Sequence, residues 1–214
     1  MKLALLVSGA SGMLLPRHLL SALARRDDVA RVHLVVSKGA SQVLFHELGR
    51  DRTGAEALVD AAELPAAARA KVVVHRDNEL DAPISSGSYR LAGTLVLPCS
   101  SGTLGALATG SATTLLHRAG AVALKERWPL VLGFRETPLN LVQVENLRTM
   151  VWAGAIVAPP IPAFYLGGET LEQFLDAYAL RLMDHLGLPG GDPELRWHGG
   201  DRSPQGTREP EGSG

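Results

Sequence analysis

Short, unbroken apolar runs recur along this 214-residue chain, each followed by a stretch of helical character. Residues 2–7 (KLALLV), 31–36 (RVHLVV), 71–75 (KVVVH), 91–97 (LAGTLVL), 130–134 (LVLGF) and 155–158 (AIVA) read as strands. Residues 14–26, 40–48, 139–153 and 169–187 read as helices. So do 54–70, with a break at Pro65, and 102–126, divided near Gly110. Strands that are apolar on both faces need helices on both faces. With right-handed crossovers this predicts an α/β fold, a Rossmann-like three-layer sandwich around a mostly parallel sheet. From Gly190 the composition turns to Gly, Pro, Asp, Glu and Ser. The expectation is one domain over 1–189 and a mobile tail over 190–214, with Trp197 as its one apolar anchor.

Charge narrows the function classes. Lys+Arg number 21 against Asp+Glu 22, a net charge of −1, so there is no electrostatic footprint for nucleic acid. One cysteine, Cys99, excludes an intrachain disulfide framework and a cysteine-based zinc site, and a reducing, cytoplasmic setting is the simplest reading. The seven histidines are scattered without metal-ligand spacing, so no metal site is expected. No apolar run approaches the ~20 residues of a membrane span, and Leu3–Val7 is too short for a signal peptide.

Chemistry-bearing residues gather after the strands. Ser8-Gly9-Ala10-Ser11-Gly12 follows the first strand. Glycines there let the backbone turn tightly, and helix amides can then meet an anion. The pattern is not GxGxxG, so it fits a phosphate site or an ordinary Gly-rich turn. Ser37 closes the second strand and Pro98-Cys99-Ser100-Ser101-Gly102-Thr103 the fourth. Each serine alone reads as a helix cap; together they point to a polar, phosphate-bearing ligand at one sheet edge. Cys99 reads as a buried filler. Arg135 and Glu136 follow the fifth strand, a planar fork for phosphate beside a possible acid/base. Lys125-Glu126-Arg127 alone reads as a solvated helix end. Pro159-Pro160-Ile161-Pro162-Ala163-Phe164-Tyr165 is a stiff loop presenting two aromatics.

Together these segments resemble the UbiX flavin prenyltransferase family over residues 2–187. The most specific blocks are Ile84-Ser85-Ser86-Gly87-Ser88, Leu97-Pro98-Cys99-Ser100, Leu124-Lys125-Glu126-Arg127, Arg135-Glu136-Thr137-Pro138-Leu139 and Pro159 through Tyr165. The resemblance implies transfer of a dimethylallyl group from dimethylallyl monophosphate to N5 and C6 of reduced FMN. The prenylated FMN would serve a UbiD-type decarboxylase, without a metal. It also implies a dodecamer built from trimers, with each flavin at a subunit interface. By the same resemblance Gly9, Ala10, Ser11, Ser37, Ser100, Ser101, Gly102, Thr103 and Arg135 contact FMN. Tyr165, Arg181, Arg118 and Lys125 hold the prenyl phosphate. Ser11, Glu136, Lys125 and Glu47 are the catalytic candidates, with Lys125 balancing the charges of Glu126 and Glu136. Trp197 resembles an aromatic that closes over the site.

The chain departs from the family pattern at Met13-Leu14-Leu15, where a Tyr is frequent, at Thr113, in the place of an Asp, and near Gln143, in the place of a His. Two other readings are open: an FMN-dependent cysteine decarboxylase of the related class, relying on a histidine such as His18 or His75, and a non-catalytic flavin-delivery subunit.

Overall fold

The computed structural model describes residues 1–49, 54–166, 170–188, 191 and 193–196. Trp197 lies outside these residues. The strands are β1 (Lys2–Val7), β2 (Arg31–Val36), β3 (Val72–His75), β4 (Gly93–Cys99), β5 (Leu130–Phe134) and β6 (Ile156–Val157). All pair in parallel in the order β3-β2-β1-β4-β5-β6. This is the doubly wound arrangement that the apolar runs predict, with its order reversing between β1 and β4.

Because the strands are parallel, every connection must return the chain to the starting edge of the sheet. The helices on these connections are α1 (Leu14–Ala24), α2 (Lys38–Leu48), α3 (Ala55–Ala61), α4 (Ala66–Arg69), α5 (Ser101–Ala108), α6 (Leu115–Lys125) and α7 (Leu141–Trp152), and α8 (Leu171–His185) follows the last strand. Pro65 splits α3 from α4 by serving as the N-cap of α4. Gly110, at φ 73°, takes the left-handed turn that separates α5 from α6.

Strand alternation sorts the core into two layers. Leu3, Leu5, Leu34, Leu95 and Leu97 face α1, α2, α3 and α8. Ala4, Leu6, Val35, Val96 and Leu132 face α5, α6 and α7. Each fully buried leucine contributes roughly 1.5–3 kcal/mol of transfer free energy.

Two local outcomes differ from the sequence expectation. β4 runs through Pro98 to Cys99 instead of ending at residue 97. The strand register is irregular between Val96 and Cys99, and a bulge is where a central strand tolerates a residue without an N–H. Beyond Gly190, Pro193–Leu195 forms a 3-10 turn. Arg196 then binds Asp184 of α8 through two nitrogens, at 2.8 and 2.9 Å. This part of the expected tail is attached to the domain.

The α6-facing layer holds a buried polar chain. His33 Nδ1 lies 2.9 Å from His75 Nε2, and His33 Nε2 lies 3.0 Å from the Tyr89 hydroxyl. Both bonds are satisfied by neutral tautomers, with the protons running either from Tyr89 through His33 to His75 or in the reverse direction. Burial, reinforced by His75, Arg31 and Lys2, lowers the pKa of His33 from 6.5 to about 4. The unfolded chain therefore binds a proton here that the folded chain refuses. Stability falls as pH drops from about 6.5 to about 4, then levels off. The melting temperature, followed across that range, is expected to show this decline. His33→Gln should flatten it, and an unchanged slope in that variant would place the proton uptake elsewhere.

Candidate functional site

The carboxyl ends of β1 and β4 meet where the strand order reverses, and Ser8 joins them. Its buried hydroxyl donates to the Pro98 carbonyl at 2.9 Å and accepts from the Ser100 amide at 2.7 Å. The Ser8 amide also donates to Pro98. One serine thus fixes the spacing of both loops above the sheet. The sequence reading includes Ser8 in the Gly-rich turn but gives it no role.

Gly9, Ala10 and Ser11 sit on that turn, with Gly9 and Ser11 exposed. A Cβ on Gly9 would lie 2.9 Å from the Gly39 carbonyl carbon. The turn rests directly on the first residues of α2, and only glycine permits that approach. Glu47 reaches across from α2 and accepts from the Gly12 amide at 3.0 Å and the Met13 amide at 2.7 Å. The two backbone amides just before α1 are therefore engaged by a protein carboxylate. A negative charge there also suits the helix dipole.

Two neighbouring helix starts carry serine caps. Ser37 accepts from the Ala40 amide at 3.1 Å, and Ser100 from the Thr103 amide at 3.3 Å. The Ser100 hydroxyl turns inward to the buried Thr103. Of the segment 100–103, Ser101 and Gly102 remain towards the outside. A Cβ on Gly102 would meet nothing within 4 Å, so the first turn of α5 opens onto space. First-turn amides have no intrahelical partners and suit an anion. Arg135 is exposed just beyond β5, its backbone amide bonded to the Cys99 carbonyl. Next to it Glu136 accepts from Ser101 at 3.0 Å and from the Thr137 amide at 3.1 Å. Ser11, Ser37, Ser101, Gly102, Arg135 and Glu136 thus share the carboxyl edge of the sheet.

Lys125 does not join them. It is the last residue of α6, and α6 returns the chain to the opposite edge, where β5 begins. Five strand residues at ~3.3 Å each put the two edges about 17 Å apart. Lys125 pairs with Glu126 at 2.9 Å. The sequence reading sets Lys125 beside Glu126 and Glu136; within one chain the topology brings it to Glu126 and leaves Glu136 at the other edge. α6 stops abruptly: Trp128 donates to Ala123 and Arg127 to Leu124, with Arg127 left-handed at φ 56°. The loop before β4 packs here too. A Cβ on Gly87 would strike the Glu126 carboxylate, and Arg118 donates from Nε to the Ser85 carbonyl at 3.2 Å.

Tyr165 and Arg181 share a cleft of about 430 Å³ between the proline-rich loop and α8, with Ile161, Phe174 and Leu180 as apolar wall. The Tyr178 hydroxyl is turned away to the Ala158 carbonyl at 2.5 Å. Asp184, also in the cleft, is held by Arg196. Arg181 has no ion-pair partner among the described residues.

The remaining reactive types are engaged structurally. His18 binds Asp176 of α8 at 2.6 Å, and His75 is buried against His33. Burial pushes the Cys99 thiol up to about 12, which makes it a poor nucleophile. No group of three metal-ligating side chains occurs among the described residues.

Comparison with known proteins gives these features a context. Residues 1–164 match the model of the family described as Flavoprotein. A flavin prenyltransferase UbiX of Deinococcus radiodurans is 41% identical over 182 residues, 85% of this chain and 86% of that protein. One from Synechocystis is 38% identical over 201 residues, 91% of this chain and 94% of that protein. Among solved structures, a dodecameric FMN-dependent UbiX-like decarboxylase from Escherichia coli O157:H7 superposes with a TM-score of 0.80. It shares 35% identity over 93% of this chain and 100% of that one. AnUbiX in complex with FMN and dimethylallyl pyrophosphate superposes with a TM-score of 0.74, at 36% identity over 87% of this chain and 92% of that one. FMN-dependent cysteine decarboxylases share the fold at 18% identity or below. A seryl stitch at the switch point, hydroxyls along one sheet edge and this depth of similarity agree: the chain belongs to the flavoprotein family, among the UbiX flavin prenyltransferases.

Proposed function

We propose that this chain transfers the dimethylallyl group of dimethylallyl monophosphate to reduced FMN, and that the prenylated FMN passes to a UbiD-type decarboxylase. The observation that carries this reading is the cleft shared by Tyr165 and Arg181. A guanidinium without an ion-pair partner among the described residues, a phenol and an apolar wall fit a short branched chain ending in phosphate.

The residues at the carboxyl edge fit FMN. The open space at Gly102 and the first turns of α2 and α5 suit its phosphate and ring, with Ser37, Ser101 and Arg135 alongside. Gly9, Ala10 and Ser11 form the neighbouring wall, while Ser100 and Thr103 support it from within. When bound, reduced FMN supplies the nucleophilic N5 and the C6 position. The protein's part is electrostatic and positional. Arg181, Tyr165, Arg118 and Lys125 stabilise the phosphate as it leaves with the electron pair of the broken C–O bond. Glu136 receives the proton released from the acceptor, with Ser11 as relay. Glu47 keeps the first turn in shape by holding its amides.

Lys125 and Glu136 stand on opposite edges of one sheet, so a site using both draws on neighbouring copies. The surface for that assembly is α7, where Leu141, Val142 and Trp152 are 74, 69 and 78% exposed. Such an apolar face calls for a partner, here further copies of this chain in a dodecamer, in the cytoplasm. No described helix is long and apolar enough to cross a membrane. The decarboxylase reading is disfavoured by the engagement of His18 and His75, and the delivery-subunit reading by the substrate-type cleft.

Anaerobic incubation with reduced FMN and dimethylallyl monophosphate is expected to yield a flavin heavier by one dimethylallyl unit in mass spectrometry. Unmodified flavin after full incubation would sink the reading. Arg181→Ala should retain FMN and lose about 10- to 100-fold in kcat/KM, the scale of one charge-assisted contact of ~1.5–3 kcal/mol. Gly9→Ala should push the turn off α2 and weaken FMN binding at least tenfold, ~1.4 kcal/mol, as read by flavin fluorescence titration.

A further inference from the structure

We propose that Gln143 is a positioning residue for Glu136, acting through the hydroxyl of Ser101. The inference rests on the prenyl-transfer reading and adds to it a residue with no assigned role. Gln143 is the third residue of α7 and part of its capping box. Its Oε1 accepts from the Asn140 amide at 2.9 Å, and its own amide donates to Asn140 Oδ1 at 3.0 Å. That cap fixes which end of the side-chain amide points where. Its Nε2 then faces Ser101 Oγ at 2.7 Å and donates to it.

The direction of every later bond follows. Ser101 already accepts from Gln143, so its own hydrogen goes to Glu136 Oε2 at 3.0 Å. The Thr137 amide donates to Glu136 Oε1 at 3.1 Å. Each carboxylate oxygen has one donor, and neither donor can reverse. Turning the Gln143 amide over would set its NH2 against the Asn140 N–H and break the cap. The first turns of α5 and α7 and the end of β5 are joined in this one chain of bonds. An exposed carboxylate on a surface turn would otherwise sample many rotamers. A group that handles a proton in turnover has to be held at one place and angle.

Gln143→Glu separates this role from capping. Glutamate is a customary third residue of a capping box, so it still accepts from the Asn140 amide, but it has no hydrogen for Ser101. The melting temperature, the Kd for FMN and the KM for dimethylallyl monophosphate are expected to stay within twofold or within error, while kcat falls about tenfold. Ser101→Ala should show the same fall, and Ser101→Thr, which keeps a hydroxyl, should recover it. Adding Gln143→Glu to Ser101→Ala should cost nothing more, because both act on one hydrogen bond. Undiminished kcat in Gln143→Glu, additive losses in the double variant, or a loss matched by a fall in melting temperature would each overturn the proposal. If Gln143→Glu does not fold, the Ser101→Ala and Ser101→Thr pair decides it: loss without recovery overturns it. Absence of prenylated flavin from the unaltered protein would instead overturn the functional reading beneath it.

Discussion

A parallel strand cannot begin until the chain has come back to the edge where its neighbour began. That requirement organises this molecule. It sends every strand's end, with the turn after it, to one edge, and every returning helix's end to the other. Ser8, Ser37, Ser101, Arg135 and Glu136 belong to the first group; Lys125, Glu126 and the loop around Gly87 belong to the second. The burial of both sheet faces, which the strand composition demands, imposes the same division.

Within the first group, backbone amides and short hydroxyls do most of the positioning. Ser8 ties β1 to β4 through one buried oxygen. Ser37 and Ser100 cap their helices inward, and Glu47 closes the start of α1. The two serine caps satisfy donors that a helix start leaves open. The edge keeps open only the parts that face outwards: Ser11, Gly102 and Arg135.

Most of the fold was legible in the sequence because strand burial writes itself as continuous apolar runs. β1, β2 and β5 occupy the very residues that their runs mark. β4, read as 91–97, runs over 93–99: Pro98 reads as a stop, and only the pairing with β5 shows the irregular register that accommodates it. The site was legible in pieces. The hydroxyls after β1, β2 and β4 announce one edge, since strand ends are visible in the sequence. Lys125 was set beside them by the family resemblance, and the return rule places the end of α6 at the opposite edge of the same chain. The Asn140-x-x-Gln143 pattern is a visible capping box, but its outward bond to Ser101 depends on α5 and α7 packing together. The reach of Glu47 to Gly12 is hidden for the same reason: no local pattern records a contact between residues 35 apart.

The placement of Lys125 has a consequence for how such a catalyst lives in a population of molecules. On the proposed reading a lone copy would own two half-sites, held about 17 Å apart by its own sheet. Turnover would then be a collective property of the proposed assembly: dilution below the association threshold would silence chains that remain folded. Conversely, two crippled sequences, one lacking the lysine and one the glutamate, would repair each other at every junction where their intact halves touch.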